Sequence, residues 1–213
     1  MSRPTFESSS LRLAVLLLAA GQGSRLGSFP KALLKKSDQS LLKKFCLTAQ
    51  FLDSIEFLIV TGFHAQVIED HLEELQSELN IPIRVVRNPH PEKGQASSIR
   101  LGLESLTWEY DVLLVALSDQ PEIGNTEIQA LLEAFQGKEV GQEIVLPMVN
   151  GQRGNPVLFS KKSIEAILRA PDMVCRQYMD AHPAQVRQFI TDNTAYLVDV
   201  DTEQDIQRLG LNK

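Results

Sequence analysis

Two hydrophobic periods take turns along this chain. Residues 11–18 and 111–117 are almost unbroken apolar runs, as expected of strands covered on both faces. Residues 65–79 instead place apolar side chains at 68, 72, 75 and 79, a stripe along one face of a helix. Carried through the chain, the pattern predicts strands at 11–18, 56–61, 83–87, 111–117, 143–148 and 156–159, with further candidates at 186–190 and 196–198. It predicts helices at 40–52, 65–79, 97–106, 126–135, 161–168, 174–181 and 202–209. Ser40 opens the first, Ser97 or Ser98 lies near the N-cap of the third, and Thr202 caps the last with Asp205 in its first turn. Such alternation implies an α/β fold, a Rossmann-like, mainly parallel sheet with helices on both faces. Residues 1–10, with three consecutive serines, read as a flexible tail ahead of a single domain at 11–213.

Composition narrows the function classes. The chain has 213 residues, 43% hydrophobic and 23% charged, enough to build a core without a disulfide or structural metal. A net charge of -6 argues against nucleic acid as a partner, because that wants a basic surface. An anionic ligand must therefore be met by local positive groups. Cys46 and Cys175 read as small apolar fillers in a reducing compartment, and the four histidines show no zinc-ligand spacing. Residues 13–20 superficially resemble a secretory signal, with Arg12 before an apolar run that ends in Ala19-Ala20. The run is short and Glu7 lies upstream, so a buried first strand explains it better. No run approaches the roughly 20 apolar residues of a membrane span. The expectation is a cytoplasmic protein with no membrane partner.

In parallel sheets ligands gather at the carboxyl ends of the strands, and the chemically suggestive residues follow strands here. After the first comes a loop with Gly21, Gly23 and Gly27, together with Arg25 and Lys31. Glycines there allow a phosphate to approach the backbone; no Gly-Lys-Ser/Thr follows, which excludes a P-loop. After the third strand, a long polar loop from Asn88 to Ser98 includes Gly94. It is either a surface loop with a serine cap or a base- and ribose-binding loop. After the fourth comes Ser118-Asp119-Gln120-Pro121; an aspartate there is a turn residue or a Mg²⁺ ligand. Asp199 and Asp201 supply further carboxylates, although Asp201 could equally start the last helix. After the fifth strand, Arg153 sits between Gly151 and Gly154 as a solvated turn residue or a fork for a phosphate.

These motifs together, LLLAAGQGSRLG…PK, N…G..SSI..GL, LSDQP, GQRGNPVLF and DVDTEQDI, resemble the nucleotidyltransferases of molybdenum cofactor biosynthesis, across about residues 11–210. Within them the chain looks most like the cytidylyltransferases. The resemblance implies a nucleotidyltransferase (glycosyltransferase-A-like) architecture, with residues 150–200 on the acceptor side. It implies transfer of CMP from CTP to the phosphate of a molybdopterin-type cofactor, with Mg²⁺ as the ion and a molybdenum hydroxylase apoenzyme as a possible further partner. Arg25 and Lys31 would neutralise the triphosphate, and Asp119 and Asp201 would hold the Mg²⁺. Ala19, Ala20, Gly21, Gly23, Gly94 and Ser98 would frame the nucleotide. Arg153 and Arg176 would face the acceptor. Departures from the family pattern are Ser118, where glycine is usual, Asn155 for a histidine, and residues 171–176, where Asp172 and Arg176 survive but two glycines do not. The last leaves room for another nucleotide or phosphorylated acceptor, or for a non-catalytic carrier that inserts the cofactor.

Overall fold

A computed structural model of the chain describes residues 11–171 and 173–213. The expected tail at 1–10 and Asp172 lie outside the described residues. Seven strands carry the fold: β1 (Leu13–Ala19), β2 (Glu56–Thr61), β3 (Ile83–Arg87), β4 (Val112–Leu117), β5 (Ile144–Val149), β6 (Val157–Ser160) and β7 (Val186–Ile190). Among the described residues seven α-helices accompany them: α1 (Leu41–Phe51), α2 (Ala65–Leu75), α3 (Gln95–Ser105), α4 (Asn125–Gln136), α5 (Lys161–Arg169), α6 (Cys175–Ala181) and α7 (Glu203–Leu209). The strands form one sheet in the order β7-β5-β6-β4-β1-β2-β3, and the two-residue strand Gln152–Arg153 folds back against β5. All neighbouring pairs in that order are parallel except those of β6, which runs antiparallel to both β4 and β5. The α/β class and the mainly parallel sheet are as expected. The reversal of β6 brings the loop joining β5 to β6 to the same edge as the carboxyl ends of β1 and β4.

The unbroken apolar runs have the anticipated cause. Every residue of β1 is buried, and alternate side chains serve opposite layers. Leu13, Val15 and Leu17 pack with Phe45, Ile68 and Leu131 of α1, α2 and α4. Ala14, Leu16 and Leu18 pack with Leu103, Ile164 and Tyr178 of α3, α5 and α6. Gly102 lets α3 lie close to the sheet: a Cβ there would meet Leu16 Cδ1 at 2.6 Å. A third cluster joins Leu26, Leu34 and Leu41 to Val200, Ile206 and Leu211, fastening the C-terminal segment beneath the loop that leaves β1. Lys35 and Asn212 exchange two backbone hydrogen bonds of 2.8 Å in the same place. Ser40 and Thr202 cap α1 and α7 as expected, accepting from Lys43 N and Asp205 N. Among the described residues no helix is long and apolar enough to cross a membrane.

Three expectations need correcting. The candidate strand at 196–198 is a 3-10 turn, Thr194–Leu197, because Asn193 caps Ala195 N and the Tyr196 hydroxyl reaches Glu127 O at 2.8 Å. Helix α3 starts at Gln95 with Gly94 as its N-cap residue, so Ser97 and Ser98 lie inside the first turn rather than at the cap. Helix α2 stops at Leu75, although Leu79 still packs on the core.

Candidate functional site

A cleft of about 320 Å³ opens at the carboxyl ends of β1 and β4. It is lined by Ala19, Ala20, Gly21, Gly23, Arg25, Lys31, Gly94, Ser98, Asp119 and Asp201, residues from widely separated stretches of the sequence. The loop leaving β1 divides its glycines by task. Gly23 has a φ of 63° and its added Cβ would fall on the Phe29 carbonyl oxygen, while its own carbonyl accepts from Leu26 N and Ser28 N. It therefore shapes the loop. Gly21 is exposed, with open space where a Cβ would stand, which leaves its backbone free to meet a ligand. Pro30 is extended, and Lys31 opens the short turn that follows it.

The charges of the cleft are paired with one another. Lys31 Nζ donates to Asp119 Oδ2 at 2.9 Å and to Asp201 Oδ1 at 2.6 Å, and Arg25 donates to Asp201 Oδ2 at 2.6 Å. Lys31 and Asp119 are both largely buried. Burial opposes the Lys31 ammonium, yet Asp119 and Asp201 outweigh it and its pKa is raised. The Asp201 carboxyl is lowered, first by its hydrogen bond from Lys31. Asp199 goes the other way: lost hydration and the neighbouring charges of Asp119 and Asp201 raise it, although the residue as a whole is exposed. Val200, fully buried between the two aspartates, donates its N–H to Asp119 O at 3.0 Å and so sets the distance between the two motifs.

On the opposite wall, Asn88 organises the polar loop. Its Nδ2 donates to Ser97 Oγ and Ser98 Oγ, both at 2.9 Å, and its Oδ1 accepts from His90 N. Ser98 is thereby buried and oriented rather than capping a helix. Gly94, at φ 87°, has open space above it. Gln95, Phe63 and Pro91 also line the cleft. They were not among the expected residues, and their plain loop chemistry carried no signal beyond their place in the motif. Ser118 is buried and donates its N–H to Leu18 O at 3.1 Å.

A second cavity of about 430 Å³ adjoins the first and shares Leu18, Gln95 and Leu117 with it. Arg153 and Arg176 both line this one, over an apolar floor that includes Phe159, Cys175 and Met179. Arg153 is held by Asp180 at 2.6 Å. The expected residues thus fall into two groups, ten at the first cavity and two arginines at the second. Among the described residues no three His, Cys, Asp or Glu side chains cluster as a complete metal site. Asp119 and Asp201 nevertheless point oxygens at one ammonium. Two hard carboxylates facing one ammonium are donors of the kind that would suit a hard divalent cation.

Comparison with known proteins bears on the family and the fold. A family model described as the MobA-like NTP transferase domain matches residues 15–186. Bifunctional protein GlmU of Prochlorococcus marinus (strain MIT 9211) is 28% identical over 163 residues, 76% of this chain and 35% of GlmU. The chain spans about a third of that relative's length. Nicotine blue oxidoreductase of Paenarthrobacter nicotinovorans is 28% identical over 201 residues, 91% of this chain and 94% of the relative. Two solved structures share the fold. Rv0371c of Mycobacterium tuberculosis H37Rv superposes with a TM-score of 0.70 at 22% identity, covering 94% of this chain and 98% of its own. A nucleotidyl transferase from Methanothermobacter thermautotroptrophicus, Mth528, gives 0.71 at 19%, covering 93% and 95%.

Proposed function

The chain belongs to the MobA-like NTP transferase domain family, and on that premise we propose that it moves CMP from CTP to the terminal phosphate of a molybdopterin-type molybdenum cofactor, releasing pyrophosphate. The observation that carries the reading is the Lys31 ammonium held between Asp119 and Asp201, beside a second cavity lined by two arginines. A carrier without chemistry has no use for such a cation-binding carboxylate pair.

In this reading Ala19, Ala20, Gly94 and Ser98 frame the cytosine, and Gly21 lets the backbone approach the phosphates. Gly23 acts indirectly, by holding the loop. Arg25 and Lys31 move from the carboxylates to the triphosphate, where they neutralise charge that grows as the transition state forms. Asp119 and Asp201 would hold Mg²⁺, whose charge would shield the phosphates. Arg153 and Arg176 take the acceptor phosphate, so residues 150–200 form the acceptor side of one domain. A phosphate oxygen of the acceptor bonds to the α-phosphorus as the bond from that phosphorus to the β-phosphate oxygen breaks. The electron pair leaves with pyrophosphate. The nucleophile is already ionised, so no side chain need remove a proton. The product would serve a molybdenum hydroxylase.

A panel of CTP, GTP, ATP and UTP with molybdenum cofactor and Mg²⁺, read by pyrophosphate release, tests this. CTP is expected to lead, since the small alanine-walled base site disfavours a purine. GTP use above CTP would reassign the nucleotide. The near whole-length likeness to nicotine blue oxidoreductase favours a second reading, redox chemistry on an aromatic substrate. Pyrophosphate release with any nucleotide separates the two.

A further inference from the structure

The carbonyl oxygen of Tyr196 accepts two hydrogen bonds, one from each half of the site. Asn155 N donates to it at 2.9 Å, and Gln120 Nε2 donates at 3.2 Å. Asn155 lies in the loop that carries Arg153. Gln120 directly follows Asp119. Tyr196 is a fixed point: it is fully buried and its hydroxyl is anchored on Glu127 O of α4. Gly154 is pressed on the same spot, since a Cβ there would meet Tyr196 O at 2.8 Å. Four residues further on, Val200 N donates to Asp119 O. The segment from Tyr196 to Val200 is thus stitched to Gln120 at one end and to Asp119 at the other.

Gln120 itself is buried, and among the described residues its Oε1 has no hydrogen-bond partner. A buried amide oxygen without a partner is unfavourable, and an apolar side chain of the same length would avoid that cost. The benefit of an amide must lie in its Nε2 donor. We infer that Gln120 is a positioning residue which, through the Tyr196 carbonyl, keeps the Asp119–Asp201 pair in register with the Arg153 loop. The inference rests on the nucleotidyl-transfer reading for its kinetic consequence, but not for its structural one.

Gln120→Met keeps the length and removes the donor together with the partnerless oxygen. Its fold should survive, with a melting temperature near or above that of the wild type. CTP affinity should stay within about threefold, because Gln120 lines neither cavity wall given to the nucleotide. Turnover should fall roughly 10- to 100-fold, the usual loss when a group that orients site residues is removed, and the acceptor KM should rise. Amide hydrogen exchange at Asn155 should quicken. Wild-type turnover and exchange in the folded variant would overturn the proposal, as would losses of CTP affinity and turnover in equal measure. If Gln120→Met fails to fold, Gln120→Leu, which likewise removes the donor to the Tyr196 carbonyl, should give the same split. Should the wild type transfer no nucleotide, the function proposed above fails while hydrogen exchange at Asn155 still decides the role of Gln120.

Discussion

At the scale of single residues, the site is a set of charges that satisfy one another until a ligand arrives. Lys31 is the centre of this arrangement, and Asp119 faces it from just beyond the end of a buried strand. Asp119→Ala should leave the fold intact and lower kcat at least a hundredfold, as the loss of one preorganised electrostatic partner does elsewhere. Near wild-type pyrophosphate release from the folded variant would remove Asp119 from the chemistry. Arg153 has a second customer in Asp180. Arg153→Ala should raise the acceptor KM by roughly 10- to 150-fold, from about 1.5–3 kcal/mol for a charge-assisted hydrogen bond, with CTP binding nearly unchanged. Asp180→Asn should act in the opposite direction. The pair is half exposed, so its release is worth at most about 1 kcal/mol, or roughly fivefold in acceptor KM. Steady-state kinetics at saturating CTP measure both. Each charged residue of the cleft had a bland reading in the sequence, as a turn or helix-start residue, and it was their joint place after successive strands that pointed to one cleft. Asn88 and Gln95 were not legible, because an amide in a polar loop looks like any other, and only tertiary structure shows Asn88 holding two serines at once.

At the scale of elements, strands were easier to read than connections. Burial on both faces writes itself into β1 and β4 as continuous apolar runs. The segment around the turn at Thr194–Leu197 carries a strand-like pattern because Tyr196 and Val198 have β-favouring side chains. The Tyr196 hydroxyl and the Asn193 cap decide the geometry instead. The two-residue pairing of Lys35–Lys36 with Gln39–Ser40 is too short to leave a pattern. Helix α7 shows what a legible cap does. Asp205 accepts from Asp201 N, Thr202 N, the Thr202 hydroxyl and Arg208, and its carboxyl is held well below the usual range, first by Arg208 and then by Thr202. A carboxyl lowered on folding stabilises the native state above its ordinary pKa of about 4, and that stability drains away as pH falls towards the folded value. Asp205→Ala should therefore cost about 1–2 kcal/mol at pH 7 and lower Tm by about 2–8 °C. The gap between the two proteins should narrow below about pH 4. Thermal melts at pH 7 and pH 3 check it; a gap of constant size would mean that Asp205 acts without its charge.

At the scale of the whole molecule, the reversal of β6 matters most. It places Asn155 and Gly154 beside Tyr196, and Arg153 at the same edge as Asp119, although 34 positions separate Arg153 from Asp119 in the sequence. A parallel sheet read from hydrophobicity alone does not reveal which strand is turned round, since a buried strand is apolar in either direction. The two cavities that result have Leu18, Gln95 and Leu117 as a party wall. Neighbours on either side of such a wall can be at home together. A nucleotide handed on in two visits, first to the protein and then to the acceptor, would need a side chain to carry it in the interval; side-by-side rooms make that errand unnecessary. Initial rates taken while both substrates vary should then give double-reciprocal lines that cross, the mark of a shared occupancy, and parallel lines would instead mean that one guest leaves before the next arrives.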